Sequence, residues 1–430
     1  MISLVSFFLY SGIMLSGDFM SEKKNNEEKK NGKNKKLVLI IAAAVFFVAG
    51  IVSGFLIASK NRSYKIAFYD LPNEITKNLQ AYAEKSGGKF SFSFFDGESG
   101  FSVEESKKYA AVFTWDGAFA KSMAKSAKDL PTSLFSQMPS SLRRSAMVDE
   151  KLRLLPVLYD HVPVYFLKDE NDVQSAFSGP ETLALLEEKL GGAKADFSFA
   201  SITAGSDDEC FYEVLSMFAE SVLGADGYKN LAEKILEKKS FREVLDETVG
   251  KNSAGENLSL RTVMDKIFDW QSRSLIQRQW YMINEDDLMA LMQQKAFYMG
   301  FMPLKKYRNM SRRISYNYST WKFPPDDVKI DHGVVANGIV MISHSSKKPV
   351  MNLAEYLVAN GIQEQLSNLT TYTAVHSQSG CYDSIADDAR FFAASTKYGP
   401  LPQLNRAAFT SADISKTFAA DAREFLILGQ

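Results

Sequence analysis

The 430-residue chain carries only two cysteines, Cys210 and Cys381, and four histidines. Two thiols exclude a disulfide-rich scaffold, a cysteine-built zinc site and an iron–sulfur cluster. The two cysteines would face an oxidising exterior and are able to pair there, but they lie far apart in sequence. Isolated histidines leave little for a metal, so neither a metal nor a cofactor is expected. Net charge is also nearly absent: 50 basic side chains stand against 51 acidic ones, a formal −1. A nucleic-acid partner would need a basic face, so none is expected. No G-x-S-x-G, H-E-x-x-H or P-loop pattern occurs, and the chain is read as a binder that does no chemistry. Carboxylates abound, but no recognisable glycosidase pair stands out. Internal repeats and a Pro- or Ser-rich linker are absent as well.

What is present is ample core material: 46% hydrophobic residues, with 31 Phe and 18 Tyr, in a length that fits two or three domains. One stretch differs from the rest. Leu37–Ala58 contains no charged residue, and as a helix it would span about 33 Å, enough for a bilayer core of about 30 Å. Residues 21–36 before it hold seven lysines against three glutamates, the charge bias of a cytoplasmic flank. The expectation is a single-pass membrane protein with residues 1–36 cytoplasmic, 37–58 a transmembrane signal-anchor helix, and everything beyond extracytoplasmic. The apolar run is longer than that of a secretory signal, which favours an uncleaved anchor, though Ile57-Ala58-Ser59 offers small residues for cleavage. No cysteine ends the run, which closes the lipoprotein route. Residues 1–19 are a weaker apolar stretch, and a start at Met20 would open the chain on the lysine-rich segment; both starts stay open.

Beyond the anchor, strand and helix signals alternate. Lys65–Leu71, the alternating Phe90, Phe92 and Phe94, and Tyr109–Thr114 read as strands, with helices from Asn73 and from about Gly117 to Lys128. Leu152–Tyr159 and Val162–Leu167 read as strands around Asp160 and His161, and Asp207 to about Leu275 as helical. Strand character returns at Ala296–Met302 and Gly338–Ser343. This order predicts an α/β protein with parallel sheets covered by helices.

Trp115 and Asp116 fall at the C-terminal end of a strand, where open α/β sheets bind ligands. An aromatic plane beside a carboxylate suits a ring that carries hydroxyls. Asp116 is equally placed to cap the next helix. Tyr159 and Asp160 sit within an apolar neighbourhood, where a carboxylate needs a partner; a ligand contact and a structural ion pair both satisfy it. Trp270 fits an apolar helical stripe, and Trp280-Tyr281 lie at the end of the helical block, within reach of a cleft. Trp321, beside Phe323-Pro324-Pro325, marks a second crossing or a surface loop.

Several passages, in this order, resemble the family 1 extracellular solute-binding proteins, the sugar-type receptors of ABC importers. They are AAVFTWDGAFA (Ala110–Ala120), KLRLLPVLYDHVPVYFLKD (Lys151–Asp169), GPETLALLEEKL (Gly179–Leu190), QQKAFYMGFMPLKKYR (Gln293–Arg308) and GVVANGIVMISHSSKKPVMNLAEYLVANGIQEQL (Gly333–Leu366). Where the family often has a Trp this chain has Phe301-Met302-Pro303, so Phe301 joins the candidate ligand residues. The resemblance implies the two-lobed type II periplasmic-binding-protein fold. Its first lobe would comprise 64–159 and 333–374, and its second 160–332 and 375–430. It further implies hinge closure on a small solute, a sugar or oligosaccharide, and delivery to ABC permease subunits. The alternative is a non-transport envelope sensor or scaffold with a degenerate cleft.

Overall fold

The computed structural model describes residues 63–168, 179–197, 199–380, 396 and 398–428. The expected anchor at 37–58, the lysine-rich segment before it and Cys381 lie outside the described residues. Residues 63–430 form one compact unit. Among the described residues no helix is long and apolar enough to cross a membrane.

The strands of the two main sheets are, in chain order, β1 (Tyr64–Tyr69), β2 (Phe90–Phe95), β3 (Ala111–Trp115), β4 (Leu154–His161), β5 (Val164–Leu167), β6 (Phe199–Thr203), β7 (Phe297–Phe301), β8 (Tyr318–Trp321), β9 (Val334–Ser343), β10 (Thr373–Ala374) and β11 (Pro400–Leu401). The first lobe's sheet runs β10-β4-β9-β3-β1-β2, with β11 on β9. Strands β1, β2 and β3 are parallel, as expected. β9 is not: it lies antiparallel between β3 and β4. The second lobe's sheet runs β8-β5-β7-β6, and of its three pairings only β7–β6 is parallel. The expectation of parallel sheets is therefore corrected to mixed ones. Apolar runs such as Val334–Ser343 are buried whichever way the strand points, so periodicity carries no direction.

The chain passes between lobes through short segments. β4 extends to His161, so Asp160 and His161 belong to a strand rather than to a turn, and Val162-Pro163 leads straight into β5. The return, at His332-Gly333, docks on α3 (Asp208–Lys238), the long helix of the second lobe. For reference, α1 is Asn73–Lys85, α2 Ala118–Ala124, α4 Leu260–Ser272, α5 Glu285–Gln293, α6 Leu304–Asn309 and α7 Ala412–Leu428.

Helix α3 breaks at Gly224, whose φ of 66° and ψ of 176° are open to glycine. The break lets the Asp331 carbonyl approach, and a Cβ at Gly224 would lie 2.9 Å from it. Ala225 N–H donates to the same carbonyl at 2.8 Å. One turn earlier, the Glu220 carboxylate accepts from the Gly333 N–H at 2.6 Å and faces His332 Nδ1 at 3.1 Å.

Two main cores result. In the first lobe Ile66, Phe68, Phe113, Leu155, Val157 and Met341 pack against α1 and helix Lys348–Leu357. In the second, Phe211, Phe218, Trp270 and Trp280 pack with α4 and α7 against the sheet. Trp321 lies in edge strand β8, its Nε1 donating to the Pro180 carbonyl at 3.2 Å, and not at a crossing.

Candidate functional site

Register places the site. Phe68 pairs with Phe113 in the parallel β1–β3 ladder, so two residues on, Asp70 stands beside Trp115 at the C-terminal strand ends. Asp70 turns out of the sheet with a φ of 54°, and its carbonyl accepts the Trp115 indole N–H at 2.6 Å. Asp116 N–H donates to the Gly338 carbonyl of β9 at 2.6 Å. Gly117 follows with a φ of 152°, and a Cβ there would lie 2.2 Å from the Arg406 carbonyl. Only glycine fits that approach of the second lobe's C-terminal segment to the first lobe's strand ends.

Between them lies a cavity of about 320 Å³. Tyr69, Asp70, Trp115, Asp116 and Phe119 line it from the first lobe. Asp208 and Glu209, in the first turn of α3, line it from the second, together with Asn405, Arg406, 409–412, Ser415 and Lys416. The Arg406 guanidinium lies 3.9 Å from the centre of the Trp115 ring, a cation–π contact, and donates to Glu209 at 2.8 Å. Arg406 holds the Glu209 carboxyl down, against burial, at about 2.

Asp116 is 7% exposed, and its Oδ1 has no partner among the described residues. Burial raises its pKa, against the Lys121 charge and the Gly117 N–H. It does not cap α2, whose N-cap is Gly117, without a side-chain hydrogen bond. Asn405 Oδ1 and Arg406 Nε are likewise buried without a partner among the described residues. Unpaired polar atoms converging on a cavity beside an aromatic ring make a site for a polar ligand with a flat apolar face.

Asp160 is 2% exposed and accepts the Lys305 backbone N–H at 2.9 Å, with Lys305 Nζ 3.8 Å away. Of the two roles open from the sequence, this is the ion pair, and it joins the end of β4 to α6 across the crossing. Burial lifts the Asp160 carboxyl to about 6 although Lys305 pulls it down. The same Lys305 lies 6.0 Å from the Trp115 ring and 3.3 Å from the Tyr372 hydroxyl.

The other sequence candidates lie elsewhere. Tyr159 is buried in the first lobe's core. Trp280 is fully buried, stacked on Phe211 at 5.4 Å, and Tyr281 packs beside it half-buried. Phe301 is buried against Phe323 at 5.4 Å. None of these four lines the interlobe cavity. Sequence reasoning missed Asp70, Glu209 and Arg406. Asp70 carries the same strand-end signal as Asp116, whereas Glu209 reads as an ordinary first-turn acid and Arg406 as one basic residue among many.

No family model and no curated protein matches the chain. Solved structures do. The bacterial solute receptor AcbH, described as having an exclusive preference for β-D-galactopyranose, superposes with a TM-score of 0.68 at 8% identity, over 86% of this chain and 93% of its own. RafE from Streptococcus pneumoniae, in its apo form, gives 0.62 at 15% identity over 86% and 95%. Maltose-bound MalE3 of T. maritima gives 0.52 at 13% over 84% and 99%. The chain thus has the two-lobed α/β fold of the ABC-type solute receptors. At these identities the likeness is one of fold.

Proposed function

We propose that the protein is an extracytoplasmic solute receptor that closes two lobes on a sugar or oligosaccharide and presents the closed form to an ABC importer. The observation that carries this reading is Trp115 at the strand ends, which lines a cavity of about 320 Å³ together with Glu209 and Arg406 of the other lobe, the Arg406 guanidinium lying on its ring. Structures that share the fold are receptors crystallised with or described for sugars, including raffinose and maltose. The short crossings at 162–163 and 332–333 suit hinge bending, since few backbone angles need to change. Binding and release need no chemistry, so no enzymatic step is proposed. The uncharged stretch at 37–58, with its lysine-rich flank, would tether the receptor as a single-pass signal-anchor with the N-terminus cytoplasmic.

The test is calorimetric titration of the full-length chain with monosaccharides and oligosaccharides, alongside a thermal-shift screen. A sugar at 100 times its Kd should add about 2.7 kcal/mol of stability. Failure of every sugar tested, with the protein folded, would remove the import reading and leave the fold untouched.

A further inference from the structure

A second cavity, of about 250 Å³, lies wholly within the second lobe. Leu288, Met289, Phe301, Met302 and Met310 form apolar walls. Its polar lining is Glu213, Glu285, Asp286 and Lys306, among others. Glu213 stands on α3 one turn after Glu209, on the same helix face. It is 6% exposed, and among the described residues its carboxyl makes no hydrogen bond. A carboxylate buried without a partner is unfavourable, so it is held neutral by a proton or matched by a cation.

Lys305 acts on the Glu213 carboxyl through space, but among the described residues no side chain hydrogen-bonds it. Lys306 is held by Glu285, which also accepts the Cys210 thiol at 3.5 Å. Lys305 is committed to Asp160 and Tyr372. Nor does the cavity call for an anion. Two first-turn N–H groups beside it already have acceptors, Asp207 for Cys210 N at 2.8 Å and Asn284 for Asp287 N at 2.8 Å. Three carboxyls against one paired lysine, with thioether and aromatic walls, describe a recess for a cation that carries an apolar stem.

We propose that this cavity binds a small alkylammonium group, its amine on the Glu213 carboxylate and its stem against Phe301, Met289 and Met302. The assignment does not depend on what the interlobe cleft binds. Burial pushes the Glu213 carboxyl well above the usual carboxylate range; Glu209, Asp160 and Glu285 reinforce this and Lys305 opposes it. A bound ammonium reverses that balance and draws the Glu213 pKa down, so binding is linked to proton release from this carboxyl.

The test titrates the full-length chain with n-butylammonium chloride, using 1-butanol and calcium chloride as controls. Saturable one-to-one binding is expected, with net proton release, read from binding heats in two buffers of different ionisation enthalpy. Glu213→Gln should weaken binding at least tenfold and abolish the proton release, while its melting temperature without ligand stays at or above that of the parent. Glu213→Asp, which withdraws the charge by one methylene, should fall between the two. Equal binding of 1-butanol, amine binding unchanged in Glu213→Gln, or calcium binding in place of the amine would each overturn the proposal.

Discussion

Asp160 offers a sharp test because burial and charge pull its pKa in opposite directions. Its ordinary value is 3.8, and in the folded chain it is lifted to about 6. The sign follows from linkage. A carboxyl whose pKa is raised on folding binds its proton more tightly in the native state, so between the two values stability falls as pH rises. The gap between 3.8 and about 6 corresponds at most to about 3 kcal/mol. Between pH 4 and pH 7 the expected loss is about 2–3 kcal/mol, and the near-complete burial of the side chain leaves little solvent screening to reduce it. Lys305 stays charged across this range, because its pKa is raised rather than lowered, and adds no slope of its own. Asp160→Asn keeps the shape and the acceptor for the Lys305 N–H but removes the titration. Urea unfolding of parent and variant at pH 4, 5.5 and 7 measures the difference. The variant should gain on the parent by about 2–3 kcal/mol from the lowest pH to the highest. A difference that stays flat with pH, or that shrinks, would refute the assignment of a desolvated carboxyl at this crossing.

Further outcomes follow from the same geometry. Trp115→Ala should abolish sugar binding in calorimetry and also lower the stability of the empty protein by about 3 kcal/mol, because the ring is packed into the first lobe's core as well as facing the cavity. Gly117→Ala places a methyl 2.2 Å from the Arg406 carbonyl; it should hold the lobes apart and weaken ligand binding at least tenfold, and unchanged affinity would show that this contact is unnecessary for closure. Arg406→Ala removes the charge that holds Glu209 down, so carbon-detected titration should show the Glu209 pKa rising from about 2 towards its ordinary 4.5. For His332, burial lowers the pKa, but the Glu220 carboxylate and the Asp327 carbonyl outweigh it and hold it above 6.5. The stabilisation is therefore fully present below pH 6.5 and is lost as pH rises through the folded value; in Glu220→Gln this dependence should flatten in thermal melts at pH 6 to 8.5.

Much of the first lobe was legible because its elements are local. The alternation of Phe90, Phe92 and Phe94 and the buried run before Trp115 mark strands without tertiary information. The strand-end rule then brought Trp115 and Asp116 to the cavity and, applied once more, would have brought Asp70. Trp280 shows where such reasoning stops. Its place at the end of a helical block does not say which way a 3-10 turn aims the ring, and here it stacks on Phe211 inside the core. Tyr159 likewise alternates with Asp160 along β4, and the sheet's two faces bury both.

The residues that escaped prediction are those whose meaning lies in a distant partner. Glu209 and Arg406 are 197 positions apart and meet only because α3 and the C-terminal segment share one lobe. Glu213 is indistinguishable in sequence from an outward-facing helical acid; only the turn of α3 that buries it against Phe301 and Met302 makes its charge consequential. Asp160 is the intermediate case. Its apolar surroundings required a partner, and that requirement was readable, because desolvating a lone carboxylate is unfavourable wherever it occurs. The identity of the partner was not, since Lys305 comes 145 residues later from the other lobe. Sequence therefore states the electrostatic demand at a buried acid, and the fold decides whether a lysine, a proton or a ligand answers it. At Asp160 a lysine does. At Glu213 Lys305 acts only through space and no side chain among the described residues hydrogen-bonds the carboxyl, and that difference singles out the second cavity.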